Sequence, residues 1–254
     1  MYGWRGRIGL LVPSINTTME TEFWQIAPPG VSVHSARIAG GRHGTPEELR
    51  GMETASKHAA SEVAMVEPDV VVYGCTSGSF FEGPAWNKKI CEQLTEITKA
   101  PTVTTAGAMV ACLMAGGHKK VDVVTPYVDV TNERLKQFVK AHGIDVVKLG
   151  TFDMLDMFDH AKVLPEEIYA KVKQMTTPDS EAVFVACTQL RALEVLDMLE
   201  RDLGKPVYSA VQASAWQAYD AMSVDPKIMH CGSLLRKLSE PGRQPRVDRQ
   251  LKTA

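Results

Sequence analysis

Two cysteines close two look-alike apolar runs. One run reads Asp69-Val70-Val71-Val72-Tyr73-Gly74-Cys75-Thr76-Ser77 and the other Glu181-Ala182-Val183-Phe184-Val185-Ala186-Cys187-Thr188-Gln189. Each has an acidic start, an apolar stretch, a small residue and then Cys-Thr. Such runs read as buried parallel strands, and in α/β folds the carboxyl ends of these strands carry the chemistry. Two thiols placed alike suggest acid/base work on two faces of one small substrate. Each cysteine precedes polar residues and then helix-like sequence, and a helix N-terminus favours thiolate over thiol. The loop Thr76-Ser77-Gly78-Ser79 offers N–H groups and hydroxyls for a carboxylate or an enolate oxygen, and Thr188-Gln189 can do the same opposite.

The other polar candidates have plainer readings beside the chemical one. Asn16 follows the first strand and can hydrogen-bond a carboxylate, but capping a helix that starts near Thr18 is the commoner job for such a residue. Tyr127 ends the fifth strand and can donate its hydroxyl to a substrate, or simply sit as an amphipathic strand-end residue. Cys91 and Cys112, inside helical runs, read as small buried hydrophobes, as does Cys231. Asn132 and Glu133 read as ordinary helix residues, and Trp24, Trp86 and Trp216 as core or interface.

The elements that must hold these groups alternate. Strand-like runs cover 7–14, 31–38, 69–77, 101–105, 120–127, 145–150, 181–188 and 206–210. Helical spacing covers 46–66, 84–99, 106–115, 128–142, 165–175, 190–203 and 213–222. Pro46, Pro84 and Pro165 fit first turns, and Gly143 and Gly204 fall where helices stop. This alternation implies parallel sheets with right-handed crossovers. The chain also repeats its landmarks. Val12–Glu20 and Thr125–Glu133 each close a strand and open a helix, and each half then delivers Cys-Thr, a helix and a strand led by Pro101 or Pro206.

The predicted fold class is therefore α/β, with two similar Rossmann-like parallel-sheet halves related by a pseudo-twofold axis and the active site in the cleft between them. Residues 1–115 form the half with Cys75 and residues 116–236 the half with Cys187. Residues 237–254, basic and without apolar period, read as a loosely ordered tail. The glycine-rich stretch 39–48, with Arg42 and His43, reads either as a lid carrying charge for an acidic substrate or as a solvated loop.

Composition sets the outer bounds. The chain has 254 residues, 44% hydrophobic and 23% charged, which supports a full core and excludes a disordered chain. A net charge of −2 gives no electrostatic footprint for nucleic acid or membrane. No apolar run reaches the length of a membrane span and no signal-peptide pattern opens the chain, so a cytoplasmic protein is expected. Five cysteines without Cys-x-x-Cys read as reduced thiols. Seven scattered histidines form no His-x-x-x-His pair, so no metal site is expected, and neither Gly-x-Gly-x-x-Gly nor a phosphate loop is present, so nucleotide cofactors lose their usual sign.

The ordered set Val12-Pro13-Ser14-x-Asn16-Thr17-Thr18-Met19-Glu20, Gly74-Cys75-Thr76-Ser77, Pro126-Tyr127 and Ala186-Cys187-Thr188-Gln189 resembles the maleate cis-trans isomerase family. That family lies in the wider Asp/Glu racemase superfamily, with arylmalonate decarboxylase and hydantoin racemase as relatives. The resemblance spans roughly residues 7 to 222. It implies cofactor-free chemistry on a small carboxylic acid, with Cys75 as nucleophile and Cys187 as proton donor. Asn16, Thr76, Ser77, Tyr127 and Thr188 would hold the carboxylates. It also implies a homo-oligomer, a dimer or higher, for which the Trp24 region offers apolar surface. One departure stands out: the family places an asparagine after the sixth strand against the distal carboxylate, and residues 152–160 here contain none. An aspartate there, Asp153 or Asp156, would repel a second carboxylate, and the apolar residues around it suit a larger or less charged substrate.

Cis-trans isomerisation ranks first among the readings. A two-cysteine racemase or epimerase of an amino-acid-like or hydantoin-like substrate ranks second. An arylmalonate-type decarboxylase ranks third, because the decarboxylase relatives have glycine at the Cys75 position. A non-catalytic acid-binding protein is the alternative outside enzymes, although binding alone needs no thiols.

Overall fold

The computed structural model describes residues 2–236 and Leu238. Nine elements build the first half: β1 (Gly6–Pro13), α1 (Met19–Gln25), β2 (Val31–Ile38), α2 (Pro46–Ala64), β3 (Val70–Tyr73), α3 (Thr76–Phe80), α4 (Pro84–Thr98), β4 (Thr102–Thr104) and α5 (Thr105–Ala115). The second half holds β5 (Lys120–Thr125), α6 (Asp129–Lys140), β6 (Asp145–Thr151), α7 (Pro165–Met175), β7 (Ala182–Val185), α8 (Leu196–Leu203), β8 (Val207–Ser209) and α9 (Ala210–Ala221), followed by α10 (Ser233–Arg236).

The strands form two four-stranded parallel sheets of matching order, β2-β1-β3-β4 and β6-β5-β7-β8. This is the α/β fold of two similar halves that the repeated landmarks imply. The central strands are apolar on both faces because helices cover both. Val70, Val71, Val72 and Tyr73 are fully buried, as are Ala182, Val183, Phe184 and Val185. Full burial of each larger aliphatic side chain contributes about 1.5–3 kcal/mol.

The halves meet through α5 and α9, the helices that follow the last strand of each sheet. Each is capped by the hydroxyl residue that ends that strand. Thr104 accepts from the Gly107 N–H at 3.1 Å and Ser209 from the Gln212 N–H at 3.2 Å. α5 is apolar nearly all round and α9 is buried along most of its length, since they pack on each other and on the sheets. Ala106, Ala108, Met109 and Leu113 belong to one continuous core with Ala210, Ala213 and Ala218. Small residues at the contact allow close approach of the two backbones.

Several expectations need correction. The helix expected over 190–203 starts only at Leu196, after a 3-10 turn at Leu193–Val195. Cys187 is thus followed by a turn whose polar groups bond across to the first half. The stretch 237–254 lies outside the described residues except for Leu238, which is buried in the core. Loop 39–45 is tied to the second half: the Met157 N–H donates to the Arg42 carbonyl at 2.7 Å, and the Arg42 guanidinium grips Asp156 with bonds of 3.2 and 2.7 Å. Its charge is therefore engaged by protein, not free for a substrate.

One buried acid sits at the junction. Glu22 on α1 receives the Leu193 backbone N–H, while its Oε2 has no hydrogen-bond partner. Burial raises its pKa from 4.5 to about 8. Its folded pKa exceeds the unfolded one, so stability is greatest where both states are protonated and is lost as pH rises from about 4.5 to about 8. Glu22→Gln should therefore raise the melting temperature more at about pH 8 than at about pH 5 in thermal melts. An equal change at both pH values would contradict a buried, protonated Glu22.

Candidate active site

Each cysteine is set at the end of a central strand by local backbone chemistry. Cys75 is the N-cap of α3, and its Sγ accepts the Gly78 N–H at 3.3 Å and lies 3.7 Å from Ser77 Oγ. Glycine is required at that contact. A Cβ on Gly78 would fall 3.0 Å from the Cys75 sulfur and 2.8 Å from the Tyr73 hydroxyl. The expectation that a helix N-terminus depresses the thiol pKa is corrected here. Burial pushes the Cys75 thiol up, and the N–H and hydroxyl only offset part of it. A five-residue helix presents little dipole against full desolvation.

Cys187 adopts φ 124°, a left-handed region that a residue with a Cβ seldom occupies. Such strain costs about 1–3 kcal/mol and persists only where surrounding bonds enforce it. They do so here. The Gln189 N–H donates to Cys187 Sγ at 3.4 Å, and the two following side chains reach across the cleft. Burial pushes the Cys187 thiol up to about 12, while the Gln189 N–H and the Tyr127 hydroxyl pull the other way. A thiol held so high stays protonated at neutral pH and can serve as an acid.

The crossing network fixes the two strand ends against each other. Thr188 Oγ1 donates to the Gly74 carbonyl at 2.9 Å and accepts from Asn16 Nδ2 at 3.0 Å. Asn16 Oδ1 accepts from the N–H groups of Thr18 and Met19 at 3.0 and 2.9 Å, so the amide caps α1 and braces Thr188 together. Gln189 Oε1 accepts from the Thr17 N–H at 3.0 Å, and its Nε2 donates to the carbonyls of Ile15 and Met157 at 3.2 and 3.1 Å. The Thr188 hydroxyl of the second half is thus occupied by two groups of the first.

All seven residues singled out from sequence, Asn16, Cys75, Thr76, Ser77, Tyr127, Cys187 and Thr188, line one cleft of about 360 Å³. The Thr76 hydroxyl is buried there and has no hydrogen-bond partner among the described residues. Two contributors escaped sequence reasoning. Asn132 on α6 is buried, donates to the Tyr127 carbonyl at 2.7 Å and accepts from Thr125 Oγ1 at 2.7 Å, which fixes the turn carrying Tyr127. His160 is buried with Nδ1 3.7 Å from Cys187 Sγ and its ring edge-on to Tyr127, centroids 6.0 Å apart. The expected repulsion from Asp153 or Asp156 is not built into the site. Neither lines the cleft, and the Arg42 hydrogen bonds hold Asp156 below its usual pKa. Met154, Leu155 and Met157 do line an adjoining chamber, about 270 Å³, that shares Ser77, Tyr127 and His160 with the cleft. No cluster of three or more metal-ligating side chains occurs among the described residues, and no helix among them is long and apolar enough to cross a membrane.

Two parallel sheets that each deliver one thiol to a common cleft define a pseudo-symmetric, two-cysteine α/β class. The chain belongs to the arylmalonate decarboxylase family, whose model matches residues 8–235. The maleate isomerase of Alcaligenes faecalis is 29% identical over 243 residues, covering 90% of this chain and 96% of that protein. The crystal structure of a cysteine-to-alanine variant of the Pseudomonas putida S16 maleate isomerase with maleate is similar, with TM-score 0.86, 30% identity, and 91% and 97% of the two chains covered. A cysteine-to-serine variant of the Nocardia farcinica maleate cis-trans isomerase, with a covalently bound succinylcysteine intermediate, gives TM-score 0.86 at 26% identity over 91% and 98% of the chains. Arylmalonate decarboxylase shares the fold with TM-score 0.78 at 23% identity, over 91% and 99% of the chains.

Thr188→Val should strand the Gly74 carbonyl and the Asn16 amide, lowering stability by about 1–3 kcal/mol in urea unfolding. Thr188→Ser should retain most of it. A Val variant as stable as the parent would remove the bridge from the account.

Proposed function

We propose that the protein is a cofactor-independent cis-trans isomerase of maleate or a closely related unsaturated dicarboxylic acid. The observation that carries this reading is the pair of thiols in one cleft of a chain similar to maleate isomerases, one of which has been caught with a succinylcysteine. Cys75 is the nucleophile. The Cys75 thiol first gives its proton to solvent; the thiolate sulfur then forms a bond to one alkene carbon, and the π electron pair moves to the other carbon, where it takes the proton of the Cys187 thiol. The former double bond, now single, rotates. The Cys187 thiolate removes the proton, the C–S bond breaks and the trans acid leaves. The Cys75 thiolate is restored when the C–S bond breaks, so each turnover consumes no co-reactant.

Thr76, Ser77 and the N–H groups at the start of α3 would receive the carboxylate beside Cys75, with the unpartnered Thr76 hydroxyl as the clearest donor. Tyr127 would serve the developing negative charge and the Cys187 thiolate. Asn16 and Thr188 would contribute mainly by fixing the geometry, given their mutual bond. A two-base racemase remains the second reading, since thiols on two sides of a cleft also suit proton exchange at one carbon. Retention of Cys75 disfavours decarboxylation. The same reading carries a division of the chain near residue 115, a cytoplasmic setting and a homo-oligomer, for which the half-exposed Trp24 on α1 offers apolar surface.

Proton NMR with maleate in D₂O tests the reaction. The parent protein should produce the fumarate signal, and Cys75→Ala and Cys187→Ala should each reduce the rate by at least about 100-fold while keeping the fold. No fumarate from the parent, or full rates from both variants, would sink the thiol mechanism.

A further inference from the structure

The mechanism above gives no part to His160, although it lines both chambers of the cleft. The residue stands in the 3-10 turn Asp159–Lys162, and its Nε2 lies 3.1 Å from the Met154 carbonyl. A carbonyl only accepts, so Nε2 carries the hydrogen and Nδ1 turns a lone pair toward the Cys187 thiol. A dicarboxylate brings two negative charges into this space. The cleft lining contains neither lysine nor arginine, and the adjoining chamber adds neither. Uncompensated charge in a desolvated site is costly. His160 is the cleft residue able to turn cationic at neutral pH.

We propose that His160 is the charge partner of the dicarboxylate, taking one proton from solvent as the substrate enters and facing the distal carboxylate as an imidazolium. The proposal rests on the dicarboxylate reading above and specifies how that substrate is held. The proton adds to Nδ1, both carboxylates stay ionised, and the Nε2–H bond to Met154 is kept. Once Cys187 has given its proton to carbon, the Nδ1–H can also face the thiolate. A charge gained on entry makes binding depend on pH.

The groups around the ring fit this role. Cys187 and Tyr127 face it from the ends of β7 and β5. Asp156 and Asp159 face it from its own segment, the first paired with Arg42 at 2.7 Å and the second with Lys162 at 2.6 Å. His43, beside Glu48 at 4.0 Å, faces it from loop 39–45 in the adjoining chamber. Burial is the largest influence and holds the imidazole below its usual pKa, so it is neutral before the acid arrives. The two aspartates favour the cation and ease its formation.

Isothermal titration of the whole protein with succinate, a saturated dicarboxylate, in buffers of different ionisation enthalpy reads the proton directly. At neutral pH the parent should take up about one proton per bound succinate, and its affinity should fall about tenfold per pH unit wherever the free imidazole is neutral and the bound one charged. His160→Gln, which can still donate to the Met154 carbonyl, and His160→Asn should bind with no uptake and a flat pH profile. No uptake in the parent, uptake that survives in His160→Gln, or no binding of succinate would each overturn the proposal. Uptake by the parent without any turnover of maleate would leave His160 in this role and remove the isomerase reading instead.

Discussion

The hydroxyl of Thr188 is clamped between the Gly74 carbonyl of one half and the Asn16 amide that caps α1, and the site depends on that clamp. Gly74 directly precedes one cysteine and Thr188 directly follows the other, so a bond between them sets the two thiols against one cleft. Gly74 has to be glycine because a Cβ there would fall 2.7 Å from the Leu11 carbonyl and 2.6 Å from Met19 Sδ. The bonds of Gln189 to Thr17, Ile15 and Met157 extend the junction. They also hold Cys187 in its left-handed backbone conformation. Helices α5 and α9 supply the apolar contact behind this polar seam, and the seam supplies the register.

Closing the cleft this way desolvates both thiols, with consequences for their division of labour. The wall around Cys187 pushes it up to about 12, which suits a residue that must arrive with its proton. Cys75 is also pushed up, but it has the Gly78 N–H and the Ser77 hydroxyl on its sulfur. Those donors stabilise the anion when a proton leaves, and the resemblance assigns nucleophilic attack to this cysteine. A dianionic substrate among neutral donors leaves a charge to be met, which is where a buried histidine beside Cys187 fits.

The fold was legible because long apolar strands and proline-led helices carry strong local signals. Matching landmarks in the two halves gave the pair of similar sheets, while the strand order within each came only from the structure. The thiols were legible because each ends such a strand. Boundaries failed where tertiary bonds override local pattern: residues after Cys187 have helical spacing, yet their polar groups are drawn across the cleft and the helix waits until Leu196. The five-residue α3 is too short for any period to mark it. Asn132 could have been found, since it shares the buried face of α6 with Leu135, Phe138 and Val139. His160 had no periodic signal in its turn. Its meaning comes from a contact with a residue 27 positions away. The one hint was the segment 152–160 itself, where the resemblance demanded a carboxylate-binding side chain and asparagine was missing.

The central claim is that Cys75 forms a bond to carbon while Cys187 supplies the proton. Intact-protein mass spectrometry of Cys187→Ser incubated with maleate, followed by peptide mapping, tests it most directly. An adduct with the mass of one maleic acid is expected on the peptide containing Cys75, and it should be absent when Cys75 is replaced by Ala in the same variant. An adduct on another cysteine, or turnover at the parent rate with no dependence on Cys75, would contradict it.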